Sequence, residues 1–204
     1  MADYSTTTDI ISNAPETSIA STTDAAVSTA LGYFITRASR LIDREVGRWD
    51  NYFYPSSDET TRYYDGSGCD ELEIDDCLSI TTLSVAEDGG TASSDYTAWG
   101  TSDFISYPYN DAPFRKLAID FNSTKPGFYS FRKAVKILGF FGYSLTPPAD
   151  VVQACETQAL RWYMRAKQGY QDVSGNSDTG QTTVSDLDPD VKEILRHYKA
   201  RNIV

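Results

Sequence analysis

Apolar residues recur on a 3.6-residue beat from Val27 through Ala30, Leu31, Phe34, Ile35, Ala38, Leu41 and Ile42 to Val46, the pattern of a helix with one apolar side. Such a helix cannot bury its stripe alone, so the chain must supply a second layer. Thr23 and Asp24 are suitable N-caps and Gly47 a stop signal, which predicts a helix over 24–47. A second stripe, Val151, Val152, Cys155, Ala159, Trp162, Tyr163 and Ala166, follows Pro147-Pro148 and Asp150 and predicts a helix over 148–168. The two stripes are expected to pack on each other.

Between them the period changes. Short strand-like runs such as TTRYY, ELEIDDCLSITTLSVA, DYTAW, FISYP, RKLAID and AVKILGFFGYS are divided by turn residues, which predicts a β-rich insert over 60–144. Asp65-Gly66 and Asp88-Gly89-Gly90 are hairpin or bulge signals. Tyr63, Tyr64, Tyr96, Trp99, Phe104, Tyr107 and Tyr109 fall in or beside these runs, where cross-strand packing is the expectation. The fold class is therefore α+β: a helical hairpin or bundle core with a β-rich insertion and a tethered C-terminal amphipathic helix.

The ends differ from this main domain, which spans 23–171. Residues 1–22 are rich in Ser, Thr, Asp and Ala and read as a flexible arm. Residues 172–188 are rich in Gly, Ser, Thr and Asp and read as a linker. Asp188-Pro189 then restarts a helix over 189–204, with Val191, Ile194, Leu195 and Tyr198 on one side. A helix that short is marginal in isolation, so it must dock on its own body or on another molecule.

The chain has 204 residues, 18 of them Lys or Arg and 29 Asp or Glu, for a net charge of -11. That balance opposes attraction to a phosphate backbone and excludes a sequence-reading DNA binder. No apolar run approaches the ~18 residues of a membrane span, and the first residues lack the basic start and apolar stretch of a signal peptide, so synthesis in the cytoplasm is the expectation. The charge is unevenly spread. Residues 49–111 hold one base, Arg62, among fourteen acids, whereas residues 112–147 hold six bases and one acid, Asp120. Either the two halves neutralise each other within one subunit, or an acidic flank meets the basic flank of the next copy, head to tail. Arg37, Arg40, Arg44 and Arg48 form a further basic stripe on the first helix, which reads as a solvated face or as the partner of a carboxylate-bearing neighbour.

Chemistry is sparse. Cys69, Cys77 and Cys155 are odd in number and spaced by eight and 78 residues, which fits neither a zinc site nor a redox pair. They are expected to be buried thiols, or for Cys69 and Cys77 a pairing across neighbouring strands. His197 is the sole histidine and lies on the terminal helix, a poor platform for catalysis. No nucleophile elbow, phosphate loop, zincin or EF-hand spacing occurs. The carboxylate-dense strings GSGCDELEIDD and SSDETT lack the ligand order of a calcium loop. No catalytic residue, cofactor or metal site is predicted. Two other functional classes remain: a carbohydrate- or receptor-binding module using the aromatic insert, including Trp99 and Tyr107, and a hydrolase drawing a carboxylate pair from Glu71, Glu73, Asp75 and Asp76.

One ordered set of motifs carries a resemblance. The first helix closes with Ala38, Leu41, Ile42, Gly47 and Arg48. The insert opens with Asp65-Gly66, then Leu72 and Ile74, then Ser79, Ile80, Leu83 and Val85. Gly142-Tyr143 precedes a proline-led helix carrying Pro148, Ala154, Ala159, Tyr163 and Arg165. This order, over roughly residues 30–170, resembles the head-tail connector, or adaptor, proteins of tailed bacteriophages. The resemblance implies a connector domain, a virion-neck location and a homo-oligomeric ring, expected to be twelvefold. Such a ring lies between the portal protein and a stopper or tail-completion protein and extends the channel through which double-stranded DNA passes without sequence recognition. It implies neither enzyme activity nor a membrane or cofactor. It also implies portal docking by the C-terminal segment, here Val191, Lys192, Ile194, Leu195, Arg196, Tyr198 and Lys199. Candidates for inter-subunit or lumen electrostatics are Arg37, Arg40, Arg44, Asp70, Glu71, Glu73, Asp75, Asp76, Arg115, Lys116, Arg132, Lys133 and Lys136. Stopper and tail-terminator rings of the same neck share these general features.

Overall fold

The computed structural model describes residues 3–13, 25–55, 58–88, 95–169, 173–174, 182–183 and 187–199. The chain forms two compact units, Met1–Phe53 with Pro147–Val204, and Tyr54–Thr146. The class is α+β: among the described residues there are four helices and a six-stranded antiparallel sheet, and the sheet is inserted between the second and third helices.

In the first unit, α2 (Ala25–Glu45) and α3 (Ala149–Lys167) pack on each other. Leu31, Phe34, Ile35, Ala38 and Ile42 of α2 meet a buried stripe on α3 that includes Val151, Ala154, Cys155 and Ala159. Gly47, at φ 71°, stops α2: the Arg48 N–H reaches back to the Asp43 carbonyl at 2.9 Å, the wide loop that a left-handed residue permits. The N-caps expected at Thr23 and Asp24 lie outside the described residues.

Two shorter helices complete this unit. α1 (Thr7–Asn13) rests on α2 and α3, with Ile10 buried and Tyr4, just ahead of it, 2% exposed. Residues 3–13 therefore fold, although composition assigns them to a flexible arm. Two well-placed apolar side chains and several polar bonds replace the hydrophobic density that the segment lacks. α4 (Pro189–Arg196) packs on α3, capped by Asp188, whose side chain accepts from the Asp190 N–H. Residues 172–188, read as a linker, include a two-residue antiparallel pairing of β7 (Val173–Ser174) with β8 (Thr182–Thr183).

The second unit is built around β2 (Glu71–Ala86), a 16-residue strand. The sheet order is β1 (Thr60–Tyr64), β6 (Val135–Phe141), β2, β5 (Phe114–Ile119), β4 (Phe104–Tyr107), with β3 (Tyr96–Trp99) also on β2. β2 can serve three partners because its register breaks near Glu73–Cys77, Cys77–Ser79 and Ile80–Thr82, bulges that bend a long strand. Leu72, Ile74, Leu83, Val85, Leu117, Val135 and Ile137 fill the core, and Trp99 stacks on Phe128 at 5.3 Å.

The turn expected at Asp65-Gly66 does not form a β1–β2 hairpin, because β1 pairs with β6 instead. Gly66 serves close approach: its N–H bonds the Phe131 carbonyl, and a Cβ there would sit 1.6 Å from the Tyr129 carbonyl oxygen. Gly89 and Gly90 of the second turn signal lie outside the described residues, though β2 and β3 do pair antiparallel.

Candidate functional site

The charged halves of the insert meet within one sheet. β2 and β5 run antiparallel with Leu72 opposite Leu117 and Glu73 opposite Lys116. Strand alternation puts Glu71, Glu73 and Asp75 on an exposed face and Leu72, Ile74 and Asp76 on the buried one. Lys116 Nζ reaches Glu71 at 2.9 Å, Arg115 Nε reaches Asp76 at 2.6 Å, and Arg62 from β1 reaches Asp75 at 2.5 Å and lies over the Phe141 ring. Five of the predicted electrostatic residues, Glu71, Asp75, Asp76, Arg115 and Lys116, are thus engaged inside the subunit. Lys133 and Lys136 lie over the rings of Tyr63 and Tyr96 at 6.0 and 5.1 Å. Asp70, Glu73 and Arg132 face solvent.

The arginine stripe of α2 divides similarly. Arg40 pairs with the wholly buried Asp43 at 3.1 Å. Arg37 and Arg44 are exposed, and the Arg37 guanidinium lies 4.8 Å from the centre of the Tyr33 ring.

The predicted docking helix is seated on its own chain. Val191 and Leu195 are fully buried, Ile194 and Tyr198 half-buried, and Lys192, Arg196 and Lys199 exposed. Burying two such aliphatic side chains stabilises the seat by about 1.5–3 kcal/mol each. Polar bonds hold both ends: Asp188 accepts from Arg161 at 2.7 Å, and its N–H donates to the buried Gln158 Oε1 at 3.0 Å. The Tyr198 hydroxyl donates to Asp150, its ring meets Phe53 edge-on at 5.0 Å, and Lys199 reaches Glu45 at 2.6 Å. Of the apolar anchor expected to meet a portal, Val191 and Leu195 are therefore covered by the chain itself, and Ile194 and Tyr198 in part.

A buried polar cluster escaped the sequence. The Tyr4 hydroxyl donates to Asp43 Oδ1 and accepts from the Phe53 N–H at 3.2 Å. Asn51 N–H donates to Asp43 Oδ2 at 2.9 Å, and Tyr4 N–H donates to Ser39 Oγ at 3.1 Å. Burial raises the Asp43 carboxyl above its usual range, against the pull of the Tyr4, Asn51 and Tyr52 donors and of Arg40. The signal was there: Ser39 and Asp43 are polar residues four apart, inside an otherwise apolar register.

The cysteines are free, and Cys69 is exposed rather than buried, because it sits in the turn before β2. Burial pushes the Cys77 thiol up to about 11 and the Cys155 thiol up to about 12, which makes both poor nucleophiles. His197 is exposed at the end of α4. Trp99, a candidate glycan platform, is only 9% exposed, whereas Tyr107 and Tyr109 remain open at 38% and 69%.

No protein-family model matches the chain, and no curated protein matches it. Among solved structures it is similar to a chain in the neck of an empty GTA particle computed with C6 symmetry. The TM-score is 0.55 at 14% identity, over 97% of this chain and 90% of that one. It is also similar, with a TM-score of 0.49 and 14% identity over 89% of this chain and 85% of that one, to a chain in the neck of a native GTA particle computed with C12 symmetry.

Proposed function

We propose that the chain is a structural part of the neck of a phage-like particle, working as a ring of identical copies and making or breaking no bonds. The likeness to a GTA neck chain over 97% of its length supports this most, because it spans the helical unit and the inserted sheet together. Within the neck we assign it the adaptor position, between portal and tail-completion proteins, on the motif order that ends in the proline-led helix. The ring is expected to be twelvefold. Asp70 and Glu73, which face solvent, would give the channel wall a charge that repels phosphate, so that DNA slides without sticking. Portal contact falls to the open side of α4, where Lys192 and Arg196 are exposed.

Mass measurement of the chain alone and mixed with the portal of its own particle tests this reading. A complex of ring stoichiometry is expected, weakened by Lys192→Glu with Arg196→Glu, which leave the buried face of α4 intact. Failure of the unaltered chain to associate with the portal would contradict the adaptor position. A ring that binds only the tail side would favour the stopper or tail-terminator position.

A further inference from the structure

Phe121 is 99% exposed, in a turn whose backbone is held firmly. It follows β5 in a tight turn in which Asp120 Oδ1 accepts from the Asn122 N–H at 2.8 Å and the Ser123 N–H bonds the Asp120 carbonyl at 2.9 Å. The turn is pinned to Asp103, whose carboxylate accepts from Ser123 Oγ at 3.0 Å and from the Gly100 N–H at 2.8 Å. The Asp103 carbonyl also accepts from the Asp120 N–H. The pinned turn presents the bare ring as a knob. Acids flank it: Asp120 precedes it, and Asp70 is brought to the same end of the sheet by the bond from the Ile119 N–H to the Asp70 carbonyl at 2.9 Å.

On the helical unit, the first half of α2 carries a shallow, open apolar groove lined by Ala25, Ala26, Thr29, Ala30, Tyr33 and Phe34, all on this one helix. The second half of the α2 stripe is buried against its neighbours, whereas this part is open, with Tyr33 62% exposed. Its edge is basic: the Arg37 guanidinium covers Tyr33 and has no anionic partner among the described residues.

We propose that Phe121 of one copy seats in the Ala25–Phe34 groove of a second copy, with Asp70 and Asp120 facing Arg37. The partner is the chain itself, argued from exposed apolar area and opposite charge on two surfaces that every copy carries. Knob and groove are different surfaces, so the contact is heterologous, and repetition closes into a ring when the rotation permits. This inference rests on the ring reading above and adds to it the anchor. An aromatic side chain buries about 150–250 Å², against roughly 800 Å² per partner in a stable interface. Phe121 is thus the hot spot of a larger contact, one that is weak between free monomers and strong once copies are gathered.

Two single-site cysteine variants, each also carrying Cys69→Ser, test the geometry: Ala30→Cys in one and, beside the intact knob, Asn122→Cys in the other. Under mild oxidation the mixture is expected to form a disulfide-linked dimer at least about tenfold faster than either variant alone, because only the mixture places a thiol at both knob and groove. Equal rates in all three samples overturn the proposal. A second arm reads assembly by native mass with and without portal. Phe121→Glu is expected to lower ring yield while leaving the urea midpoint unchanged, Phe121→Leu to retain the ring, and Arg37→Glu to be rescued by Asp70→Lys. If the unaltered chain forms rings and Phe121→Glu forms them equally well, the contact is wrong and the ring reading stands. If the unaltered chain never assembles, even with portal, the ring reading falls and takes this inference with it.

Discussion

Arg115 Nε lies 2.6 Å from Asp76 Oδ1, joining a base that is 60% exposed to an acid that is 2% exposed. The pair ties the acidic half of the insert to the basic half through neighbouring strands. Arg115→Ala removes a charge-assisted bond from a carboxylate that water hardly reaches, and is expected to cost about 1.5–3 kcal/mol. Lys116→Ala, which opens the exposed pair with Glu71, is expected to cost about 0.2–1 kcal/mol. Urea titrations of the two variants read the difference, and equal costs would contradict the burial argument.

Tyr4 anchors the segment ahead of α2. Tyr4→Phe loses both the bond to Asp43 and the acceptor for the Phe53 N–H, an expected loss of about 1–3 kcal/mol, with faster amide exchange in residues 3–13 as the local readout.

The buried carboxyl of Asp43 sets a pH dependence with a definite sign. Burial raises it, so between the ordinary carboxylate range and its raised value the folded chain binds more protons than the unfolded one. Its contribution to stability therefore grows as pH falls through that window and is lost as pH rises through it. Relative to Asp43→Asn, the unaltered chain is expected to gain stability as pH falls toward the ordinary carboxylate range. A relative loss over that fall in pH would show the carboxyl to be lowered instead.

Gly139 faces the Ser79 carbonyl across β6 and β2, and a Cβ there would lie 2.2 Å from that oxygen. The obstacle is backbone, so the strands must separate. Gly139→Ala is expected to cost more than about 2 kcal/mol, measured as a shift in the thermal midpoint, where an exposed strand glycine would show little change.

α2, α3 and α4 were legible because each repeats one apolar stripe, and the insert was legible because its period drops to two; α1 was not, because its segment carries too few apolar residues to show one. What failed depended on partners distant in sequence. Asp65-Gly66 looks like a hairpin, but β1 finds β6 on the far side of the insert. Asp43 stands out as polar in an apolar register, but nothing near it names Tyr4, 39 positions earlier, as its partner. The charge map allowed neutralisation within one subunit or between two, and the ion pairs of Lys116 with Glu71 and of Arg115 with Asp76 show pairing inside the subunit. Val191 and Leu195 were recognisable as an anchor, but their periodicity could not say whose groove they fill. Phe121 gave no signal, since a phenylalanine after a strand reads as more core.

The central claim is that copies of this chain form a ring in the neck of a particle. Electron cryomicroscopy of particles assembled with a tagged copy tests it most directly. The expected result is one closed layer of tagged density at the junction of head and tail. Particles that assemble fully without the chain, or that carry it only on the shell or the tail tip, would contradict the account.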